Sequence, residues 1–324
     1  MKVKNVISKQ YLRDQVFWDV VYEWESVFID QLEASLFIDR QLPVVGGLLL
    51  RFPFLSVLFP PYKGSFSYEL GPWLDVPGRN KSNIIPCIVD FFIRKPEDLQ
   101  KFYKEYSNHK LVLVSSLEVK EFLESVNCPL HIEHLGLSLA DKYRLTDNSV
   151  FDKKYDIVII GRANRVLMEY LAQFKKEYPE VTIVKSKRVG DDFLCFDNSD
   201  NFVCEVNTRE EYINILKKAK CTLYSTPGID GGESRTQGFN QVTPKFLEAI
   251  ACGCNIICRY KSNPDTQFYE MEKYWPNIDS YSDFKRQTEK ALSIPFDLTL
   301  GIKYLSNHYT SVRVKQLKQL LQLI

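Results

Sequence analysis

Four groups of residues have the types and spacing that chemistry on a phosphorylated substrate would need. One is Glu248, a lone carboxylate in the apolar run Thr243-Pro-Lys-Phe-Leu-Glu-Ala-Ile-Ala-Cys-Gly253, with Lys245 just ahead of it. A second is Gly161-Arg162, followed by Arg165, directly after the apolar run Tyr155–Ile160. The third is the glycine-rich loop Ser225–Arg235, which continues into Gln237 and Asn240. The fourth is Asp90, at the end of the apolar run Ile84–Val89. A guanidinium clamps phosphate oxygens through paired hydrogen bonds and stabilises a diphosphate as it leaves. Glycines let backbone N–H groups turn toward an anion. A carboxylate at a strand end binds an acceptor hydroxyl or removes its proton. The plainer alternatives are solvated surface charges for Arg162, Arg165 and Lys245, and a structural cap for Asp90.

The elements that position these groups follow from local pattern. Thr243 suits the N-cap, Pro244 the first helical position, and Gly253 the left-handed residue after the helix. Phe246, Leu247, Ile250 and Ala251 form one apolar stripe, and Glu248 lies off it, free to bind. The runs Cys221–Ser225 and Cys254–Cys258 read as buried strands on either side of the helix. In such a parallel unit a ligand sits beyond the carboxyl ends of the strands, beside the helix N-terminus. Thr226 to Val242 is then a candidate phosphate loop. Lys245, a cation in the first helical turn, opposes the helix dipole unless an anion partners it.

The string Pro244–Gly253 followed by an apolar strand resembles the donor-site signature of GT-B glycosyltransferases of the retaining, glycogen-synthase-like group. The resemblance covers about Tyr155 to Tyr260 and implies that Glu248 binds the ribose of a nucleotide sugar. It also implies that Gly161-Arg162, with Arg165 in place of the commoner Lys, holds the donor diphosphate. Arg235 in the glycine-rich loop offers a further phosphate contact. The family has another Glu eight positions upstream of its ribose Glu, and this chain has Asn240 there. Matching the family's Glu-Gly-Phe to Gln237-Gly-Phe239 also leaves an amide in place of the carboxylate. Glu233, in the same loop, is a possible substitute. The resemblance further implies that no metal or cofactor takes part, because cationic side chains and helix N-termini replace the metal.

At 324 residues the chain is long enough for two domains, each with its own core. A net charge of +1 without a basic block gives no reason to expect nucleic-acid binding. Eight scattered cysteines lack metal-ligand spacing and suit free buried thiols in a reducing cytoplasm. The pairs Asp191-Asp192 and Asp197/Asp200 read as solvated turns rather than a metal site. Lys2 and Lys4 lead into polar residues rather than an apolar core, so no secretory signal is expected.

Strands alternate with helices twice, which implies an α/β fold with parallel sheets. The first series comprises a strand over 84–92, a helix over 96–106, a strand over 111–114, a helix over 117–124 and a strand over 130–132. Val16 to Phe37 ahead of it reads as helix. The second series starts at Tyr155, runs through a helix over 164–178 and a strand over 181–184, and includes a capping box at Thr208 and Glu211. Two Rossmann-like domains facing across a cleft are expected: residues 1–140 for the acceptor and 150–300 for the nucleotide sugar. A terminal helix within 301–324 is expected to pack back across the domain boundary. Leu42 to Pro61 is the most apolar segment and reads as core, with a membrane-surface patch around Phe54 and Leu58 as the sharper alternative.

The expected activity is metal-independent transfer of a sugar from a nucleotide-diphosphate sugar to a hydroxyl, with retention, in surface polysaccharide or lipid-linked glycan synthesis. Asp90 and Asn240 are the candidate catalytic residues; Gly161, Arg162, Arg165, Arg235, Gln237, Lys245 and Glu248 are the candidate donor ligands. The expected partners are the nucleotide sugar and a glycan or lipid-linked acceptor, at a cytoplasmic location with peripheral contact at the inner membrane face. Two rivals stand beside this reading: a nucleotide-sugar-binding protein without catalysis, and a nucleotide-sugar epimerase of the same architecture.

Overall fold

The computed structural model describes residues 2–8, 16–38, 64–72 and 84–323. Two compact units result, one from Met1–Asp141 with Tyr309–Ile324 and one from Lys142–His308. The first contains strands β1 (Asn5–Ser8), β2 (Ser35–Ile38), β3 (Ser65–Glu69), β4 (Ile84–Ile88), β5 (Val112–Val114) and β6 (Ile132–His134). Its helices are α1 (Val16–Leu32), α2 (Pro96–Tyr106) and α3 (Leu117–Ser125). The second contains β7 (Tyr155–Ile159), β8 (Ile183–Val189), β9 (Asp192–Phe196), β10 (Phe202–Glu205), β11 (Ala219–Ser225) and β12 (Asn255–Arg259). Its helices are α4 (Arg165–Glu177), α5 (Arg209–Lys217), α6 (Pro244–Ala251), α7 (Pro264–Phe268), α8 (Met271–Tyr274), α9 (Tyr281–Ser293) and α10 (Leu298–Leu305). The chain then returns to the first unit as α11 (Thr310–Leu320).

The first sheet has the order β2-β1-β3-β4-β5-β6, and every neighbouring pair is parallel. Trp24 and Phe28 of α1 are buried against Phe66 and Tyr68 of β3, and the rings of Phe28 and Phe66 stack 4.7 Å apart. Val314 and Leu317 of α11 enter the same core, which ties the end of the chain to its beginning. The indole of Trp24 donates to the Ser138 carbonyl (2.9 Å), and Arg313 Nε donates to the Gly136 carbonyl (2.9 Å). These bonds satisfy polar groups that burial would otherwise penalise.

The second sheet has the order β10-β9-β8-β7-β11-β12. Its β8-β7-β11-β12 part is parallel, while β8, β9 and β10 form an antiparallel meander at one edge. Leu167, Leu171 and Phe174 of α4 pack with Phe284 and Ala291 of α9 on the buried strands. Thr208 and Glu211 form the expected capping box at the start of α5.

Several expectations need correction. Leu36 and Phe37 belong to β2 rather than a long helix, because Glu33 adopts a left-handed φ of 52° and ends α1. The strands β1, β2 and β3 complete a six-stranded sheet in which three strands were expected. The polar stretch after residue 184 is the meander, whose β9–β10 turn is closed by Asp197. Its carboxylate accepts from the N–H groups of Ser199 (2.8 Å) and Asn201 (3.0 Å), so it is a turn residue. The second unit extends to His308, beyond the expected end at 300. Leu42–Pro61, with Phe54 and Leu58, lies outside the described residues. Among the described residues, no helix is long and apolar enough to cross a membrane.

Candidate functional site

The start of α6 is fixed by the strand it follows. Thr243 occupies the N-cap position with an extended backbone, but its side chain makes no capping bond; its N–H donates to Tyr224 Oη (2.9 Å). At the other end Gly253 has φ +67°, and a Cβ there would lie 2.4 Å from the Phe151 ring. Both the left-handed backbone and the ring packing therefore require glycine. The helix starts beside the carboxyl ends of β7 and β11, and Lys245 Nζ donates to the Ile160 carbonyl just past β7 (3.0 Å). Lys245 is half-buried rather than solvated. Burial, reinforced by the Arg162 guanidinium, pushes its ammonium down to about 8, against the pull of the Glu248 carboxylate.

Arg162 follows the same strand end. Gly161 turns the chain at φ +72°, and its N–H donates to Ser186 Oγ (3.0 Å). The Arg162 guanidinium pairs with Glu233 Oε1, while Arg235 Nε donates to Glu233 Oε2 (2.6 Å). One carboxylate thus bridges two of the predicted phosphate ligands. A small recess of ≈ 10 Å³, about the room of one water, lies here between Arg162–Asn164 and Leu223–Ser225. A larger cavity of ≈ 310 Å³ lies at the opposite, amino-terminal ends of β11 and β12. The lysines of that larger cavity are already engaged, Lys220 by Asp156 (2.8 Å) and Lys153 by the Cys252 carbonyl (2.9 Å). The smaller recess is the one beside the carboxyl ends of β7 and β11, where a parallel sheet presents ligand-binding groups.

Glu248 is buried and not free, which corrects the expectation. Its Oε1 pairs with Arg209 (2.6 Å), and its Oε2 accepts from Tyr212 Oη (2.8 Å). The reason is that α5 lies against this face of α6 and supplies both partners. The Arg209 guanidinium also stacks over the rings of Tyr143 and Tyr212. Burial and the adjacent Glu248 carboxylate push the Tyr212 phenol well up, so it remains a donor.

The glycine-rich loop is tied down rather than open. Asp230, at φ 55°, takes Arg259 in a bidentate pair (2.6 and 2.7 Å), and Asn164 Nδ2 also donates to it (3.0 Å). The Arg259 hydrogen bonds hold Asp230 below the usual carboxylate range. Loop N–H groups expected to face a ligand are used internally: Gly232 donates to Ile229 and Glu233 to Pro227, both at 3.0 Å. Asn240 accepts from Thr226 Oγ1 (3.0 Å), and Gln237 is exposed at a left-handed φ of 49°. Arg165 pairs with Glu169 on the exposed face of α4 (2.9 Å), and its charge also helps to lower Asp230. In the first unit, Asp90 lies two residues past β4, and its N–H donates to the Leu70 carbonyl (2.8 Å).

The structure therefore gathers Gly161, Arg162, Arg235, Lys245 and Glu248 around the carboxyl end of the second sheet. Sequence reasoning missed Arg209, Tyr212, Asp230 and Arg259. The available signal for Arg209 was a cation in the first turn of α5, opposed to the helix dipole as Lys245 is.

No protein-family model matches the chain, and no curated protein sequence matches it. Solved structures do. The pneumococcal O-GlcNAc transferase GtfA, in complex with UDP and GlcNAc, matches at TM-score 0.51 and 13% identity, over 83% of this chain. A GtfA/B complex matches at 0.50 and 12%, also over 83% of this chain. The chain spans 59% of the length of each of these two. A putative UDP-N-acetylglucosamine 2-epimerase from Listeria monocytogenes matches at 0.49 and 10% identity, covering 99% of this chain and 96% of that one. The likeness to the transferases establishes the fold, the paired Rossmann-like domains of GT-B proteins.

Proposed function

We propose that this chain is a glycosyltransferase that holds a nucleotide-diphosphate sugar at the carboxyl end of its second sheet and passes the sugar to a hydroxyl acceptor. The observation that carries this reading is the convergence of Arg162, Arg235 and Lys245 with the buried Glu248. Three cations beside a helix N-terminus suit a diphosphate. Glu248, held by Arg209 and Tyr212, keeps lone pairs for the ribose hydroxyls. Arg162 and Lys245 neutralise the leaving diphosphate, the part a metal would otherwise play. Asn240 and Gln237 lie toward the sugar, and Asp90 serves the acceptor hydroxyl as ligand or base.

Membership of the retaining, glycogen-synthase-like group, action on a glycan or lipid-linked acceptor, and a cytoplasmic location with peripheral membrane contact complete the proposal. Uridine diphosphate is the first nucleotide to test, because GtfA carries it. The experiment is incubation of the purified chain with UDP-GlcNAc, with and without a GlcNAc-terminated acceptor, followed by nuclear magnetic resonance. Acceptor-dependent release of UDP with an axial product linkage supports the reading. An equatorial linkage refutes retention, and C2-epimerised donor formed without acceptor refutes transfer.

A further inference from the structure

Glu233 has the charge and the position of a ligand. Its two carboxylate oxygens are divided between Arg162 and Arg235, the arginines that the donor-site reading assigns to phosphate. It is also firmly mounted. Its N–H donates to the Pro227 carbonyl (3.0 Å), and its own carbonyl accepts from the Thr236 N–H (3.0 Å) and Thr236 Oγ1 (2.8 Å). The backbone is anchored on both sides, so the carboxylate leaves the arginines by side-chain rotation alone, without opening the loop.

We propose that Glu233 is an internal competitor of the donor phosphates, occupying Arg162 and Arg235 in the empty site and making it select diphosphates over monophosphates. The inference rests on the donor-site reading. A carboxylate bridging two guanidiniums is displaced well by a ligand that offers an anionic group to each arginine. A diphosphate has two phosphoryl groups and replaces both contacts. A monophosphate has one, and leaves Glu233 to compete for the other. Both kinds of ligand then bind more weakly than they would without Glu233, and a monophosphate, which cannot satisfy both arginines against it, is penalised more.

The test is calorimetric titration of the full chain with UDP, UMP and inorganic pyrophosphate, comparing wild type, Glu233→Gln, Glu233→Ala and Arg162→Ala. Both Glu233 variants should bind UDP about threefold to tenfold more tightly than wild type. Their gain for UMP should be larger, so the preference for UDP over UMP narrows. Arg162→Ala should lose affinity for both. Equal or weaker UDP binding in both Glu233 variants, or an unchanged UDP-to-UMP ratio, would overturn the proposal. Failure of UDP and pyrophosphate to bind wild type and every variant would sink the donor-site reading itself.

Discussion

At the carboxyl end of the second sheet three acids have guanidinium partners: Glu248 has Arg209, Asp230 has Arg259, and Glu233 has Arg162 with Arg235. The first sheet handles an acid differently. Glu25 of α1 is buried beside Ser8 at the end of β1, and none of Glu25 Oε1, Glu25 Oε2 or Ser8 Oγ has a hydrogen-bond partner among the described residues. Burial pushes this carboxyl up to about 8, and the Glu69 carboxylate raises it further. Desolvation of an ion is costly, so an acid is either compensated or protonated. The second unit compensates these three acids by pairing. The first keeps its acid neutral at physiological pH.

This contrast can be broken deliberately. Arg209→Met should turn Glu248 into a second Glu25. Loss of one partner from a buried ion pair costs about 3–5 kcal/mol, readable as a lower midpoint in urea denaturation. Glu248→Gln added to Arg209→Met should restore much of the loss; a double variant no better than the single one would contradict the pairing account.

The opposite change removes the lone acid. The folded carboxyl of Glu25 titrates near 8, above its ordinary 4.5, so the folded state holds the proton more tightly. Its contribution to stability is complete below 4.5 and is lost as pH rises through 8. Between these values stability should fall by up to about 1.4 kcal/mol per pH unit. Glu25→Gln should flatten that slope, as measured by denaturation at several pH values; an unchanged slope would place the titration elsewhere, Glu69 being the nearest acid.

A smaller effect concerns Lys245. Burial and the Arg162 guanidinium push its ammonium down to about 8, and a bound diphosphate favours the charged form. Nucleotide affinity should therefore be highest below pH 8 and weaken as pH rises through it, by less than tenfold. Lys245→Met should bind more weakly at neutral pH and lose this dependence. Persistence of the pH profile in the variant would exclude Lys245 as its source.

Much of the second sheet was legible because its elements carry their own punctuation. Pro244 and Gly253 bound α6, and Thr208 with Glu211 caps α5. The apolar runs of β7, β11 and β12 are long enough to read as buried strands. In contrast, β1 and β2 are four residues each, and β10 is exposed at one edge, so neither length nor periodicity marks them. The position of Lys245 and Arg162 followed from the parallel-sheet rule. Their partners did not, because Arg209–Glu248 and Arg259–Asp230 join different elements, and such pairs are set by packing rather than by local spacing.

The central claim is that the second sheet holds a nucleoside diphosphate between Arg162 and Glu248. The direct measurement is thermal unfolding of the full chain with the uridine, guanosine, adenosine, cytidine and thymidine diphosphates in turn. Wild type, Arg162→Ala and Glu248→Ala are compared. A ligand that binds only the folded state raises the midpoint. The account predicts a rise with one base, reduced or abolished in both variants, and UDP is expected to give it. No rise with any of the five at millimolar concentration, or a rise that survives both substitutions, would contradict it.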